Sequence, residues 1–251
     1  MRLNFNKEIE FFFKQIFISK KKLFEKRINR SIKNKDEIEI ELIKELTKPG
    51  SDTIDVGVYR GVYSYEMSLY CKTVHSFEPN PVIFEDLEKN LPKIIKNIKL
   101  YNLALSDKND QVDLKIPIRN PEFNKKNYEE YYRMGLATIH NNKTFENFKK
   151  FKVYTKMLDD FNFNNHISFI KIDVEGHELE VLKGAKKTIK KFKPNMLIEI
   201  EERHSNKKVQ TTIDYICSLG YKSFVYDQKK LVQTSLINNL EKFNNFIFKP
   251  I

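Results

Sequence analysis

Short apolar runs that lead into acidic residues, alternating with helical segments, constrain this chain more than any other feature. Thr53 to Val56 carries Asp55 into a turn at Gly57, Thr73 to Phe77 stops at Glu78-Pro79, and Ser168 to Asp173 is strongly apolar before its acid. Ile98 to Leu105 and Asn195 to Ile200 read as a third and a fifth core strand, with Tyr221 to Tyr226 and Phe246 to Phe248 closing the set. Between them, Tyr63 to Tyr70, Pro81 to Asn90, Glu178 to Lys191 and Val209 to Leu219 have helical character. Strands separated by helices of this size imply right-handed crossovers and a largely parallel sheet. The expected fold class is therefore α/β: a doubly wound, mostly parallel seven-stranded sheet with helices on both faces. Val112 to Ile118 alternates apolar and polar residues and Val153 to Met157 is a shorter apolar run, so both read as additional strands.

The 251 residues suit one substantial core, read as a domain over 36–251 with a helical extension over 1–35. Asp36 to Gly50 has helical spacing, with Ile38, Leu42, Ile43 and Leu46 on one face and Pro49-Gly50 as the stop. Residues 119–150 lack periodicity and read as an insertion or lid. Charged residues interrupt the N-terminal apolar segment, which argues against a secretion signal, and no run reaches the roughly 20 apolar residues of a membrane span. Two cysteines, Cys71 and Cys217, imply no disulfide framework and fit a reducing cytoplasm. The net charge of +11 is spread over dispersed lysines with no nucleic-acid motif, so no nucleic-acid partner is expected. Over residues 5–30, Phe5, Ile9, Phe12, Phe13, Ile16, Phe17, Phe24 and Ile28 form an apolar stripe beside Lys20, Lys21, Lys22, Lys26, Arg27 and Arg30. That stripe suits either a cap on the sheet's helices or a peripheral contact with the inner membrane surface.

In an open α/β sheet, ligands bind beyond the carboxyl ends of the strands. Asp55, Glu78 and Asp173 stand there. Gly57 and Gly61 flank a tight turn into a helix, where glycine lets a ligand approach the backbone. Glu78, about 20 residues further on, stands where a carboxylate can accept both ribose hydroxyl protons. A pyrophosphate site favours G-x-G-x-x-G, whereas here Gly57-Val58-Tyr59-Arg60-Gly61 lacks the middle glycine and carries bulky Tyr59. A nucleoside ligand without phosphates fits better. Asp173, Glu175 and His177 form a D-x-E-x-H run, too loosely specific for Mg²⁺, and no metal is assigned.

Several segments together resemble the FkbM methyltransferases, class I enzymes that mostly methylate hydroxyl oxygens. FIKIDVEGHELEVLKGA (Phe169 to Ala185) carries most of the likeness. DVGVYRGVYS (Asp55 to Ser64), FEPNP (Phe77 to Pro81), NLALSD (Asn102 to Asp107) and the Leu158-Asp159 pair follow in the family's order. The chain departs where Val58-Tyr59 replaces the usual Ala-Asn.

The resemblance implies a Rossmann-like fold and S-adenosyl-L-methionine as cofactor. It implies that Asp55, Gly57 and Gly61 shape the pocket for the methionine part, with Asp55 near its ammonium. Glu78 would hold the ribose hydroxyls, and Ala104, Leu105 and Ser106 would edge the adenine. Asp173 would stand between cofactor and acceptor. Methylating a weakly nucleophilic hydroxyl calls for a base. Glu175 is the first candidate as base or acceptor anchor, His177 the second, and Glu178 reads as structural at its helix start. His140, His204, Glu199 and Glu201 are further candidates on the acceptor side. The expected acceptor is a saccharide hydroxyl. A methyltransferase acting on nitrogen, protein or nucleic acid, and a non-catalytic binding module, are the alternatives.

Overall fold

A computed structural model of the chain describes residues 20–34, 37–118, 134–139, 147–202 and 208–251. Its main sheet has eight strands in the order β10-β9-β11-β8-β7-β1-β2-β3. The parallel half is β3 (Ile98–Tyr101), β2 (Thr73–Phe77), β1 (Asp52–Val56), β7 (Ile167–Ile172) and β8 (Asn195–Glu199). β11 (Asn245–Pro250) then inserts antiparallel between β8 and β9 (Tyr221–Asp227), and β10 (Lys230–Gln233) pairs antiparallel with β9. A small second sheet holds β4 (Ala104–Leu105), β6 (Phe148–Lys156) and β5 (Asp110–Pro117).

Five of the six residues of β7 are apolar or small, and all six are buried, as a central parallel strand requires. One face of the sheet is covered by α1 (Lys20–Asn34), α2 (Ile43–Leu46), α3 (Val62–Ser68) and α4 (Pro81–Asn90). The other is covered by α5 (Glu178–Gly184), α6 (Lys186–Phe192) and α7 (Val209–Ser218), where Val181, Leu182, Ile189 and Ile213 pack on Ile54, Ile170 and Ile198. Phe24 and Ile28 of α1 are buried against Val58, Leu87 and Leu91, so this part of the N-terminal stripe packs on protein. Phe5 to Phe17 lie outside the described residues. No described helix is long and apolar enough to cross a membrane.

Four boundaries differ from the sequence reading. The eighth strand, β10, follows a two-residue turn in which Gln228 and Lys229 both take positive φ, 46° and 62°. Such hairpin turns usually announce themselves by Asn-Gly or Asp-Gly, and here neither appears. The expected strand Ile98 to Leu105 breaks at Asn102, whose side chain donates to the carbonyls of Glu78 and Pro79 and sends Ala104-Leu105 into the second sheet. The helix expected from Glu178 to Lys191 is two, because Asp159 accepts from the backbone N–H groups of Lys187 and Thr188 and starts α6 afresh. Asp36 to Gly50 holds a 3₁₀ turn over Ile38–Leu42 and only one α turn, α2. In addition, β6 reaches back to Phe148, so the insertion closes sooner than expected.

Candidate active site

A cleft of about 670 Å³ opens beyond the carboxyl ends of β1, β2 and β7. Its floor is the tight crossing of two backbones. Gly57 sits at φ +86°, and a Cβ there would lie 1.8 Å from the carbonyl oxygen of Asp173. The Gly57 and Asp173 N–H groups donate to Phe77 O and Val56 O, both at 3.0 Å, and lock the crossing. Gly61, at φ +74°, ends the loop against the Leu91 side chain and begins α3.

Glu78 is the most constrained acid in the cleft. Its Oε2 accepts from the Tyr59 N–H and its Oε1 from the Asn80 N–H, each at 2.9 Å. Burial pushes its pKa up to about 7, against those two bonds. Tyr59 takes a left-handed backbone, φ 48°, which aims that N–H at Glu78 while the ring stays on the cleft wall. Asn80 also begins α4, accepting from the Val82 N–H at 3.1 Å.

Ala104 and Leu105 line the opposite wall. Ser106 is buried behind them, with its Oγ 2.9 Å from His177 Nε2. Gly184 lets α5 approach this segment, since a Cβ there would lie 1.9 Å from Ser106 O. Met134, Gly135, Ala137 and Thr138, within the insertion, complete the wall, and Thr138 Oγ1 donates to the Glu175 carbonyl at 2.9 Å. These insertion residues carry no periodic signal, which is why the sequence reading left them out of the site.

The β7–α5 turn places Asp173, Glu175 and His177 on the cleft together. Glu175 takes φ 57°, and the turn is pinned by Glu178, which accepts from the Gly176 N–H at 2.9 Å. Glu178 therefore holds the turn, as the sequence suggested. His177 lines the cleft with its Nε2 held 2.9 Å from Ser106 Oγ. His140 and His204 lie outside the described residues.

Asp55 is buried beneath the loop, where Ser64 Oγ donates to its Oδ2 at 2.5 Å. Its Oδ1 is buried and has no hydrogen-bond partner among the described residues. Burial pushes its pKa up to about 6, opposed by Lys171, its register partner on β7. Lys171 was not singled out from the sequence, although a lysine inside an apolar strand demands a partner. Its Nζ lies 2.9 Å from Asp173 Oδ2. A second chamber, lined by Tyr63, Arg60, Lys171 and Glu37, meets the cleft at Gly57, Tyr59 and Asp173.

The cleft suits an adenosine carrying an amino-acid arm. It offers a carboxylate oriented at the end of β2, an apolar wall at Ala104-Leu105 and a glycine floor, while Asp55 lies beneath that floor and is not on the cleft lining.

No curated protein sequence matches the chain. Among solved structures, an FkbM methyltransferase from Methylobacillus flagellatus KT shares 16% identity at a TM-score of 0.51. The match covers 84% of this chain and 50% of that one, so this chain spans half the length of that protein. An rRNA methylase from Streptococcus thermophilus matches at 10% identity and a TM-score of 0.48, covering 85% of this chain and 95% of its own. A SAM-dependent O-methyltransferase from Thermotoga maritima matches at 12% identity and 0.43, covering 86% and 64%. The sequence itself matches the Methyltransferase FkbM domain over residues 55–223, from the acid of β1 to the start of β9. The chain belongs to the FkbM family of S-adenosylmethionine-dependent methyltransferases.

Proposed function

We propose that this chain transfers a methyl group from S-adenosylmethionine to a hydroxyl oxygen of a saccharide. The observation that carries this reading is the pair of carboxylates on the cleft wall, Asp173 where the two chambers meet and Glu175 beside it on the cleft. An alcohol oxygen is too weak a nucleophile to react without losing its proton, whereas an unprotonated amine needs no such help. The bound cofactor supplies a methyl group activated on a sulfonium.

The residues of the chain hold the two partners in line. Glu78 accepts the ribose hydroxyls on the lone pairs that Tyr59 and Asn80 leave available. Gly57 lets the cofactor lie against the backbone, with Gly61 setting the end of its loop. Asp55 presents Oδ1 toward the ammonium group. Ala104 and Leu105 edge the adenine, backed by Ser106, which His177 holds in place. Asp173 stands between donor and acceptor, and Glu175 anchors an acceptor hydroxyl. Lining up oxygen, methyl carbon and sulfur supplies much of the rate. Residues 36–251 form the transferase domain, with the insertion over 119–150 contributing one cleft wall.

The direct test incubates the full chain with methyl-labelled cofactor and either polysaccharide or RNA, followed by mass spectrometry of the products. Label on sugar oxygen supports the reading, and label confined to RNA or protein overturns it. Glu175→Gln should raise the acceptor KM about tenfold and leave kcat within a few-fold, as expected for a lost charge-assisted hydrogen bond. A collapse of kcat at unchanged KM would remove Glu175 from the anchoring role.

A saccharide carried on a lipid would give the basic extension a purpose. Lys22, Lys26, Arg30 and Lys33 of α1 are exposed while Phe24 and Ile28 are packed inside. We infer a peripheral, charge-driven contact with anionic lipid. Co-sedimentation should then rise with anionic vesicles and fall with added salt, and equal recovery with neutral vesicles would refute it.

A further inference from the structure

The pairing of β7 with β8 ends at Ile172 and Ile198. Asp173 and Glu199 follow side by side at the carboxyl ends of the two strands, which brings their carboxyl groups close enough to share a hydrogen bond. A hydrogen bond between two carboxyls requires a proton on one of them. Lys171 lies directly below, its Nζ 2.9 Å from Asp173 Oδ2 and 4.8 Å from the centre of the Tyr63 ring. Several acids surround this one ammonium. Asp55 approaches from β1 and Glu37 from the segment before the 3₁₀ turn, while Glu175, on the turn after β7, adds its charge beside Glu199. One buried positive charge cannot hold all of them ionised at short range, so the pair retains a proton. Burial first, then the Asp173 charge, holds the Glu199 pKa well above the usual carboxylate range.

Asp173 also lines both the cleft and the second chamber. A group placed there meets donor and acceptor together. We propose that Asp173 and Glu199 work as a one-proton carboxyl pair that orients the acceptor hydroxyl and takes its proton. Asp173 touches the acceptor, and Glu199 holds Asp173 in place from behind. This inference rests on the hydroxyl-methylation reading above. In the step itself, an acceptor lone pair forms the O–CH₃ bond while the C–S bonding pair returns to sulfur, leaving S-adenosylhomocysteine. The acceptor O–H proton passes to Asp173, so the pair ends with two protons and no charge. Lys171 then faces the Asp55 carboxylate, and the extra proton leaves to water as product departs.

Two readouts on the full chain test this. The first needs no acceptor: infrared spectroscopy at a pH above about 7, where Glu78 and Glu178 titrate, while Glu199, pushed higher by burial, keeps its proton. A neutral-carboxyl band should be present there, vanish in Glu199→Gln and persist in Glu175→Gln. The second uses methyl-labelled cofactor with polysaccharide as acceptor. Asp173→Asn should lower kcat by about 10²–10⁴-fold, the usual range for a lost base, with cofactor affinity unchanged within twofold. Glu199→Gln should lower kcat less and shift the pH profile, while Glu199→Asp restores part of the rate. Absence of the band, or its survival in Glu199→Gln, overturns the pair. A full rate in Asp173→Asn overturns its role as proton acceptor. If the band behaves as expected but the labelled product is methylated nitrogen, the pair stands and the hydroxyl reading falls. Thermal melts identify any variant that fails to fold, in which case Glu199→Asp carries the spectroscopic comparison.

Discussion

Gly57→Ala is expected to lose roughly 3–5 kcal/mol of stability and all measurable cofactor binding, while Gly50→Ala loses about 1–2 kcal/mol and keeps binding. Both glycines have positive φ, +77° at Gly50 and +86° at Gly57, so both substitutions carry the left-handed strain of an L-residue. Only the surroundings differ. Around Gly50 nothing lies within 4 Å of the new Cβ, whereas at Gly57 it would meet Asp173 O at 1.8 Å. That oxygen belongs to the backbone at the end of β7, which is held to β1 and β8 and cannot swing away as a side-chain tip would. Relief therefore has to come from prising β1 from β7 at the floor of the cleft, next to Asp173. For a domain of this size, 1 kcal/mol shifts the melting temperature by about 2–4 °C, so Gly57→Ala should melt roughly 6–20 °C lower. Denaturant melts give the stability and calorimetry gives the binding. Equal losses at the two positions would show that backbone strain, not the strand crossing, fixes the glycine.

The same crossing explains why so much of the cleft was legible before any coordinates. Buried β7 is mostly apolar, whereas β1 and β2 set Ile54, Val56, Val74 and Phe77 among buried polar residues, and the ends of all three strands locate Gly57, Glu78 and Asp173. Motif residues read from resemblance acquire separate physical reasons. Gly184 clears Ser106, and Asp159 starts α6. What stayed hidden depends on contacts between distant segments. The wall built by Met134 to Thr138 has no periodicity, because a 3₁₀ turn and a single bridge to Lys115 shape it. Lys171 looked like one more lysine in a lysine-rich chain, since only the fold reveals that Asp55 and Asp173 flank it. Asp55 was legible as a motif acid, but its place beneath the loop follows from strand alternation, which turns it toward Ser64 and α3. Likewise, β6 was shortened in the reading because exposed Lys149, Lys150 and Lys152 break its apolar pattern, and two of these pair with Asp113 on β5.

Glu78→Gln is expected to weaken S-adenosylmethionine binding by about 10–100-fold and to abolish the pH dependence of what remains. With cofactor bound, the carboxylate serves four donors at once. Tyr59 and Asn80 occupy one lone pair on each oxygen, and the remaining lone pairs face the cleft. A glutamine keeps one acceptor oxygen but turns an NH₂ against one of those two backbone N–H groups, so the loop must shift or leave a donor unpaired. The pH effect follows from the ionisation of the same group. Desolvation lifts the Glu78 pKa to about 7 in the free protein, and only the ionised form can accept both ribose hydroxyls. Protonation competes with binding as pH falls, so affinity is full above about pH 8 and about tenfold weaker near pH 6, given the pKa of about 7. The sign is opposite for stability. A carboxyl with a raised pKa contributes most when protonated, so Glu78 favours the free fold at low pH and costs it stability as pH rises through 7. Calorimetric titrations across this range, on the full chain and on Glu78→Gln, separate the two effects. A wild-type affinity flat from about pH 8 to about pH 6, where one ionising carboxylate demands a slope, would take Glu78 out of the ribose site.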